Sequence, residues 1–317
     1  MTTTIGSLVL DVGGTALTPE DRELIAHPLV GGVILFARNY QDKGQLTELC
    51  QQIRLSKGDQ PLLIMVDQEG GRVQRFVSDF SRLPAFSHYG DLFDDDPASA
   101  CQLAHTMAAT MAQELRTVGI DFSISPVLDL NKGMNTVIGD RAFHRDPATV
   151  AMLGKHFVAG MQSVGMPAVA KHFPGHGSVS KDSHLELPVD MRALAEIQRD
   201  DLLPFQALAS LVNGMMASHL LFPAIENNIV GFSAYWLKTI LRHELQFKGV
   251  ILSDDLHMQG ANISDDSCDR FQAAREAGCD LALYCNDRQA VVRIIDYVPY
   301  KSHLLPENTW RQLQATH

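Results

Sequence analysis

Cysteine is scarce and unpatterned in this sequence. Cys50, Cys101, Cys268, Cys279 and Cys285 are scattered, odd in number and nowhere spaced Cys-x-x-Cys. That speaks against a disulfide framework or a cysteine-based zinc site and fits reduced thiols in a cytosol. Long apolar runs are missing too: no stretch approaches the ~20 residues that a membrane span needs. The start, Met1-Thr2-Thr3-Thr4-Ile5-Gly6, has neither the basic region nor the apolar core of a secretory signal. Positive charge is in deficit, with a formal net charge of −11 and no local cluster of Lys and Arg. A nucleic acid or an anionic membrane would therefore be repelled. Neither a P-loop nor a G-x-G-x-x-G fingerprint occurs. These absences predict a soluble, cytoplasmic protein with no nucleic-acid or membrane partner.

What is present is an alternation. The chain has 317 residues, 45% hydrophobic and 20% charged, and short Val/Ile/Leu-rich runs recur between helical patterns. The runs fall at residues 7–11, 31–36, 62–67, 120–127, 167–171, 214–219, 249–254 and 280–285. They are continuously apolar, as strands buried on both faces are. Helices are expected near 45–55, 150–163, 193–212 and 287–297, and further starts at Thr18-Pro19, after Asp94-Asp95-Asp96-Pro97 and at Ser233. In the helix after Pro97, Leu103, Met107, Met111 and Leu115 repeat every four residues and predict a core stripe. Eight βα units predict an α/β fold, a single (β/α)8 TIM barrel of ~250 residues or more, filling one domain over 1–317. The chain after the eighth run is short, which predicts a less robust closure.

In such barrels the site lies at the C-terminal ends of the strands. Those ends carry Asp67, Asp129, Lys171-His172, Ser218-His219, Asp254-Asp255 and Asn286, whereas the N-terminal ends carry mainly glycine and proline. Solubility would load both rims equally, so the asymmetry predicts an enzyme. The richest stretch runs from Lys171 to His184, with three histidines, two lysines and an aspartate around Pro174, Gly175 and Gly177. A strand that stops in such a loop suits a rigid scaffold carrying a mobile active-site segment. Carboxylates among cations, without a nucleotide motif, suggest hydrolysis of a small substrate. Asp254 at a strand end suits the nucleophile of glycoside hydrolysis. A carboxylic acid partner is hard to find: Glu69 is nearest, and Gly70-Gly71-Arg72 beside it give it the look of a pairing residue in a turn.

Five segments in order, GGVILFARNY (31–40), VDQEGGRVQRF (66–76), IGDRAF (138–143), KHFPGHG (171–177) with Asp182-Ser183-His184, and VILSDDLHM (250–258), together resemble family 3 glycoside hydrolases. The likeness spans roughly Ser7 to Ile295 and is closest to the single-domain bacterial members that release N-acetylglucosamine from cell-wall fragments. It implies a retaining β-N-acetylglucosaminidase with Asp254 as nucleophile. It also implies His184 as general acid/base with Asp182 orienting it, and Asp67, Arg75, Arg141, Lys171 and His172 as sugar-binding residues. A histidine titrates near neutrality and a carboxylate fixes its tautomer, so the dyad can replace the missing acid. Gly175 and Gly177 would be the hinge of its loop. No cofactor or metal is implied, and the partner is a small carbohydrate acted on by a monomer.

Alternatives remain at this stage. Asp255 could replace Asp254, His176 could replace His184, and His172, His176, Asp182 and His184 could hold a metal, although their spacing matches no standard zinc pattern. His219 could line the pocket without doing chemistry. A β-glucosidase, a β-xylosidase or a non-catalytic sugar-binding barrel would carry the same framework. The stretch FPAIENNIVGF (222–232) and His257 depart from the family pattern on the leaving-group side.

Overall fold

The computed structural model describes residues 4–134, 137–179, 183 and 186–315. Each expected apolar run overlaps a strand: β1 (Leu8–Asp11), β2 (Val30–Leu35), β3 (Leu63–Val66), β4 (Phe122–Ser123), β5 (Val169–Phe173), β6 (Gly214–Ala217), β7 (Val250–Ser253) and β8 (Ala282–Leu283). They pair in parallel as a five-stranded sheet, β8-β1-β2-β3-β4, and a three-stranded sheet, β5-β6-β7. All residues of β1, β2, β3 and β6 are buried, which explains their uninterrupted apolar character.

The expected ladder does not run evenly round all eight strands. Between the two sheets pairing thins to isolated bridges, Val127 with Lys171 and Leu252 with Leu281. At one seam the Lys171 N–H donates to the Pro126 carbonyl (3.1 Å) and the Leu128 N–H donates back to the Lys171 carbonyl (2.7 Å), so the contact is a complete bridge that is not continued into a longer ladder. At the other seam the Asp280 carboxylate takes the Ile251 N–H (2.8 Å) that a ladder partner would use.

Helices α1 (Pro19–Ala26), α2 (Lys43–Lys57), α3 (Phe86–Asp95), α4 (Pro97–Thr117) and α5 (Pro147–Ser163) connect the first five strands. Their starts follow the sequence signals. Thr18 caps α1 in a capping box with Asp21, Asp42 caps α2, and Asp96 caps α4 one residue before Pro97. The buried face of α4 is lined by Ala104, Ala108, Met111, Ala112 and Leu115, with Leu103 and Met107 only partly buried. Small residues let α5 approach closely, so the stripe is shifted by one position from the expected one.

The helix expected over 193–212 is two, α6 (Leu194–Arg199) and α7 (Leu202–Leu208). Asp201 interrupts it: its buried carboxylate binds Arg192 Nη1 (2.7 Å) and Ser178 Oγ (2.9 Å) instead of solvent. A π-type helix (Tyr235–Glu244) follows Ser233, whose Oγ accepts the Trp236 N–H (3.1 Å). Then come α8 (Ser267–Ala277) and α9 (Arg288–Tyr297). Beyond α9 the chain returns, and Leu304–Pro306 pairs antiparallel with Thr4–Gly6. The short tail thus ties the two ends together. No described helix is long and apolar enough to cross a membrane.

Candidate active site

The C-terminal ends of the strands open on a cavity of about 550 Å³ lined by Asp67, Arg75, Arg141, Lys171, His172 and Asp254. All the sugar-binding candidates and the nucleophile candidate therefore meet in one place. Asp182 and His184 lie outside the described residues.

Lys171, expected as the last residue of its run, and His172, expected just past it, both sit inside β5, because the strand runs two residues further, to Phe173. The pleat sends both to different partners, and the peptide between them is cis. Lys171 is 2% exposed and pairs with Asp67 Oδ1 (2.7 Å) and Glu69 Oε1 (2.6 Å). Asp67 follows β3, and Glu69 lies in the hairpin formed by Gln68–Gly70 and Val73–Gln74. Arg75, at the end of that hairpin, reaches Asp67 Oδ2 at 3.5 Å. Arg141 closes a 3-10 turn (Gly139–Arg141) and binds Glu69 with two prongs, each 2.8 Å. Burial opposes ionisation of both carboxyls, but the cations outweigh it. Lys171 and Arg75 hold Asp67 well below the usual carboxylate range, and Arg141 and Lys171 hold Glu69 down at about 2.

Asp129 is fully buried and serves two histidines. Its Oδ2 lies 2.6 Å from His172 Nδ1, and its Oδ1 accepts the backbone N–H groups of His172 (3.2 Å) and His176 (2.7 Å). A carboxylate only accepts, so the His172 proton is assigned to Nδ1. Burial penalises the Asp129 anion, yet His172 and His176 keep its carboxyl below the ordinary range.

The two adjacent aspartates after β7 are chemically unlike. Asp255 Oδ1 accepts the N–H groups of His257 and Cys285, each at 3.0 Å, and burial pushes its carboxyl up to about 7. Asp255 N–H in turn donates to Asp254 Oδ1 (2.8 Å). A carboxyl whose charge is disfavoured by burial and whose Oδ1 is already tied is a poor nucleophile, so Asp255 is better suited to holding its neighbour.

The loop after β5 corrects the hinge expectation in part. Gly175 has φ +130°, but Gly177 is fixed by packing: a Cβ there would sit 1.7 Å from the Leu130 carbonyl oxygen. His176 is buried, its Nε2 lies 3.1 Å from Ser183 Oγ, and burial lowers its pKa. Ser183 O also accepts the Gly260 N–H (2.9 Å), so the one described residue between Asp182 and His184 is held beside the β7 loop. His219 does not line the cavity. It is fully buried, its Nε2 hydrogen-bonding the Asp255 carbonyl (3.1 Å) behind the pocket wall. Among the described residues no group of three or more His, Cys, Asp or Glu could hold a metal.

Sequence reasoning missed Phe36, Arg72, Met216 and Met258 in the cavity wall. Arg72 was visible only as a turn residue, yet it pairs with Asp140 (2.8 Å) next to Arg141. Phe36 lies under the Arg38 guanidinium, 4.6 Å from the ring centre.

A parallel α/β scaffold with a carboxylate-and-cation pocket at its strand ends has the groups that glycoside hydrolysis needs. The chain belongs to glycosyl hydrolase family 3: the family's N-terminal domain matches residues 4–311. It is 48% identical over 292 residues to a protein named beta-hexosaminidase from Nitrosospira multiformis, covering 92% of this chain and 83% of that one. A beta-hexosaminidase from Thioalkalivibrio sulfidiphilus is 50% identical over 293 residues, with 92% and 84% covered. Among solved structures, native NagZ from Neisseria gonorrhoeae superposes with a TM-score of 0.92 at 38% identity, covering 100% of this chain and 92% of that one. The same protein in complex with N-trifluoroacetyl-D-glucosamine also gives 0.92, at 39% identity.

Proposed function

We propose that the chain is a retaining β-N-acetylglucosaminidase that removes terminal β-linked N-acetylglucosamine from peptidoglycan fragments, in particular N-acetylglucosaminyl-1,6-anhydro-muramyl species with or without peptide. It works in the cytoplasm, as a monomer, with a small carbohydrate as its only partner and no cofactor. Its one domain, over 1–317, is a (β/α)8 barrel whose two seams are the Val127–Lys171 and Leu252–Leu281 bridges.

The observation that supports this reading is the cavity that gathers Asp67, Arg75, Arg141, Lys171 and His172 with Asp254 at the end of β7. Sugar hydroxyls need both donors and acceptors, and the wall offers cations beside an anion kept ionised by them. Arg75 adds a buried Nε–H with no hydrogen-bond partner among the described residues, a donor that a bound hydroxyl would satisfy. Asp254 attacks the anomeric carbon, displacing the leaving oxygen, which takes its proton from His184. Water, deprotonated by the same imidazole, then cleaves the glycosyl-enzyme and restores Asp254. Asp182 orients that imidazole. The names of the relatives, and the N-acylated glucosamine in one solved relative, support an N-acetylated sugar over glucose or xylose.

The test is release of nitrophenol from p-nitrophenyl β-N-acetylglucosaminide. Wild type is expected to turn it over in preference to the β-glucoside and β-xyloside, with activity unchanged by EDTA. Asp254→Ala should lose at least 10³-fold in kcat, the scale of losses seen when a nucleophile is removed. Undiminished turnover by Asp254→Ala would sink the assignment, and binding without turnover by the wild type would favour a non-catalytic barrel.

A further inference from the structure

Glu69 differs from its neighbours in one respect. The ion pairs form a chain of alternating sign, Arg75–Asp67–Lys171–Glu69–Arg141. Four of the five line the cavity and Glu69 does not; its side chain is 2% exposed. Its Oε1 receives both Lys171 Nζ (2.6 Å) and Arg141 Nη2 (2.8 Å), and its Oε2 receives Arg141 Nε (2.8 Å). One carboxylate thus holds two cations from behind, with both oxygens committed.

The mount of Glu69 is equally fixed. Gly70 (φ +115°) and Gly71 (φ +54°) make the hairpin turn, and a Cβ on Gly70 would lie 2.3 Å from the Pro84 carbonyl oxygen. Gln68 staples the hairpin with its side chain, accepting the Arg75 N–H (2.9 Å) and the Phe76 N–H (3.1 Å) and donating to the Phe76 carbonyl (2.9 Å). The carboxylate therefore stands at a set place relative to β3 and β5.

We infer that Glu69 is a positioning residue for the reaction: it touches no substrate, but fixes the Lys171 ammonium and the Arg141 guanidinium in one donor geometry for the hydroxyls of a neutral glycoside. Long cationic side chains lose rotamer freedom when they grip a ligand, and a prior clamp removes that cost from binding. Two buried cations so close would otherwise repel each other. With Asp67, the chain holds three cations against two anions. That leaves the ion-pair chain with one net positive charge, and Asp254 lines the same cavity, so the wall suits hydrogen bonding to a neutral ligand and not capture of a polyanion. A two-pronged carboxylate also aligns the guanidinium plane, which a lysine could not reproduce. Glu69 stays ionised far into acid, so it is a fixed counter-charge and not a proton donor.

The inference rests on this cavity being the sugar site, so the experiment uses whichever nitrophenyl β-glycoside of N-acetylglucosamine, glucose or xylose the wild type cleaves best. Glu69→Gln, nearly the same size, should raise KM at least tenfold with a smaller change in kcat while the protein stays folded by circular dichroism. In an Arg141→Ala background the same substitution should cost at least threefold less than in the wild type, because one of the two clamped partners is already gone and only Lys171 remains to be released. Equal losses in both backgrounds, or no loss in KM, would overturn the proposal. If Glu69→Gln does not fold, Glu69→Asp, which keeps the charge but shortens the reach, is put through the same cycle with the same expectation. Turnover of the glucoside alone would remove the N-acetyl reading and leave the clamp testable; turnover of none of the three would overturn both.

Discussion

A buried carboxylate shared between two histidines is an expensive device, and the Asp129 side chain is fully buried. Its oxygens hold the His172 ring and the backbone N–H groups of His172 and His176, on both sides of the turn that follows β5. Asp129→Asn keeps the shape, but its amide nitrogen must face a donor. The expected loss is about 3 kcal/mol of stability, as for removal of one member of a buried pair, together with a higher KM through the released His172 ring. The pH dependence has a definite sign. The folded-state pKa of Asp129 lies below its unfolded value, so its contribution is complete above that unfolded value, about 3.9. It fades as pH falls through the lower folded pKa. Urea midpoints of wild type and variant should therefore differ most at neutral pH and converge below about pH 4. A difference that stays constant into acid would show that Asp129 is not held as an anion.

Elements were legible where a local signal and the burial pattern agreed. The eight apolar runs all became strands because both their faces are covered, and Thr18-Pro19 and Asp96-Pro97 start helices because cap and proline act locally. Failures occurred where a side chain served a distant partner. The break at Asp201 is set by Arg192 and Ser178, the seam beside β7 by the Asp280 carboxylate, and neither partner can be read from neighbouring residues. In the site, strand-end positions disclosed Asp67, Lys171, His172 and Asp254, but the hub role of Asp129 and the clamp of Glu69 depend on contacts across 43 and 72 residues. Helix α1 shows how such contacts join elements. Asp21 completes its capping box, accepting the Thr18 N–H (2.9 Å) and hydroxyl (2.8 Å), and also pairs with Arg288 at the start of α9. One buried carboxylate thus fastens the first connecting helix to the last. Asp21→Ala should cost roughly 2–3 kcal/mol, combining a lost cap with a broken, largely buried pair. Because these contacts lie outside the cavity lining, kcat/KM at 25 °C should hold while the urea midpoint falls; an unchanged midpoint would refute the link.

At the scale of the whole molecule the two ends of the strands have separate duties. The C-terminal ends carry the charge network, and the opposite ends are closed by the returning tail. Leu304–Pro306 pairs with Thr4–Gly6, Leu305, Trp310 and Leu313 are buried, and a Cβ on Gly214 at the start of β6 would lie 3.3 Å from the Leu313 side chain. The described tail thus packs as a plug under β6. Conservation of function across a folded variant is the clean test of that division, since barrels keep stability at one face and chemistry at the other. Trp310→Ala should cost about 3–5 kcal/mol as a cavity in a packed region, with KM and kcat unchanged for the molecules that remain folded. Ending the chain after His303 removes three large buried side chains at ~1.5–3 kcal/mol each, together comparable to the 5–15 kcal/mol that hold a typical domain folded. That truncation should abolish the cooperative urea transition. A truncated chain that unfolds cooperatively near the wild-type midpoint would show that the tail is an appendage and not a plug.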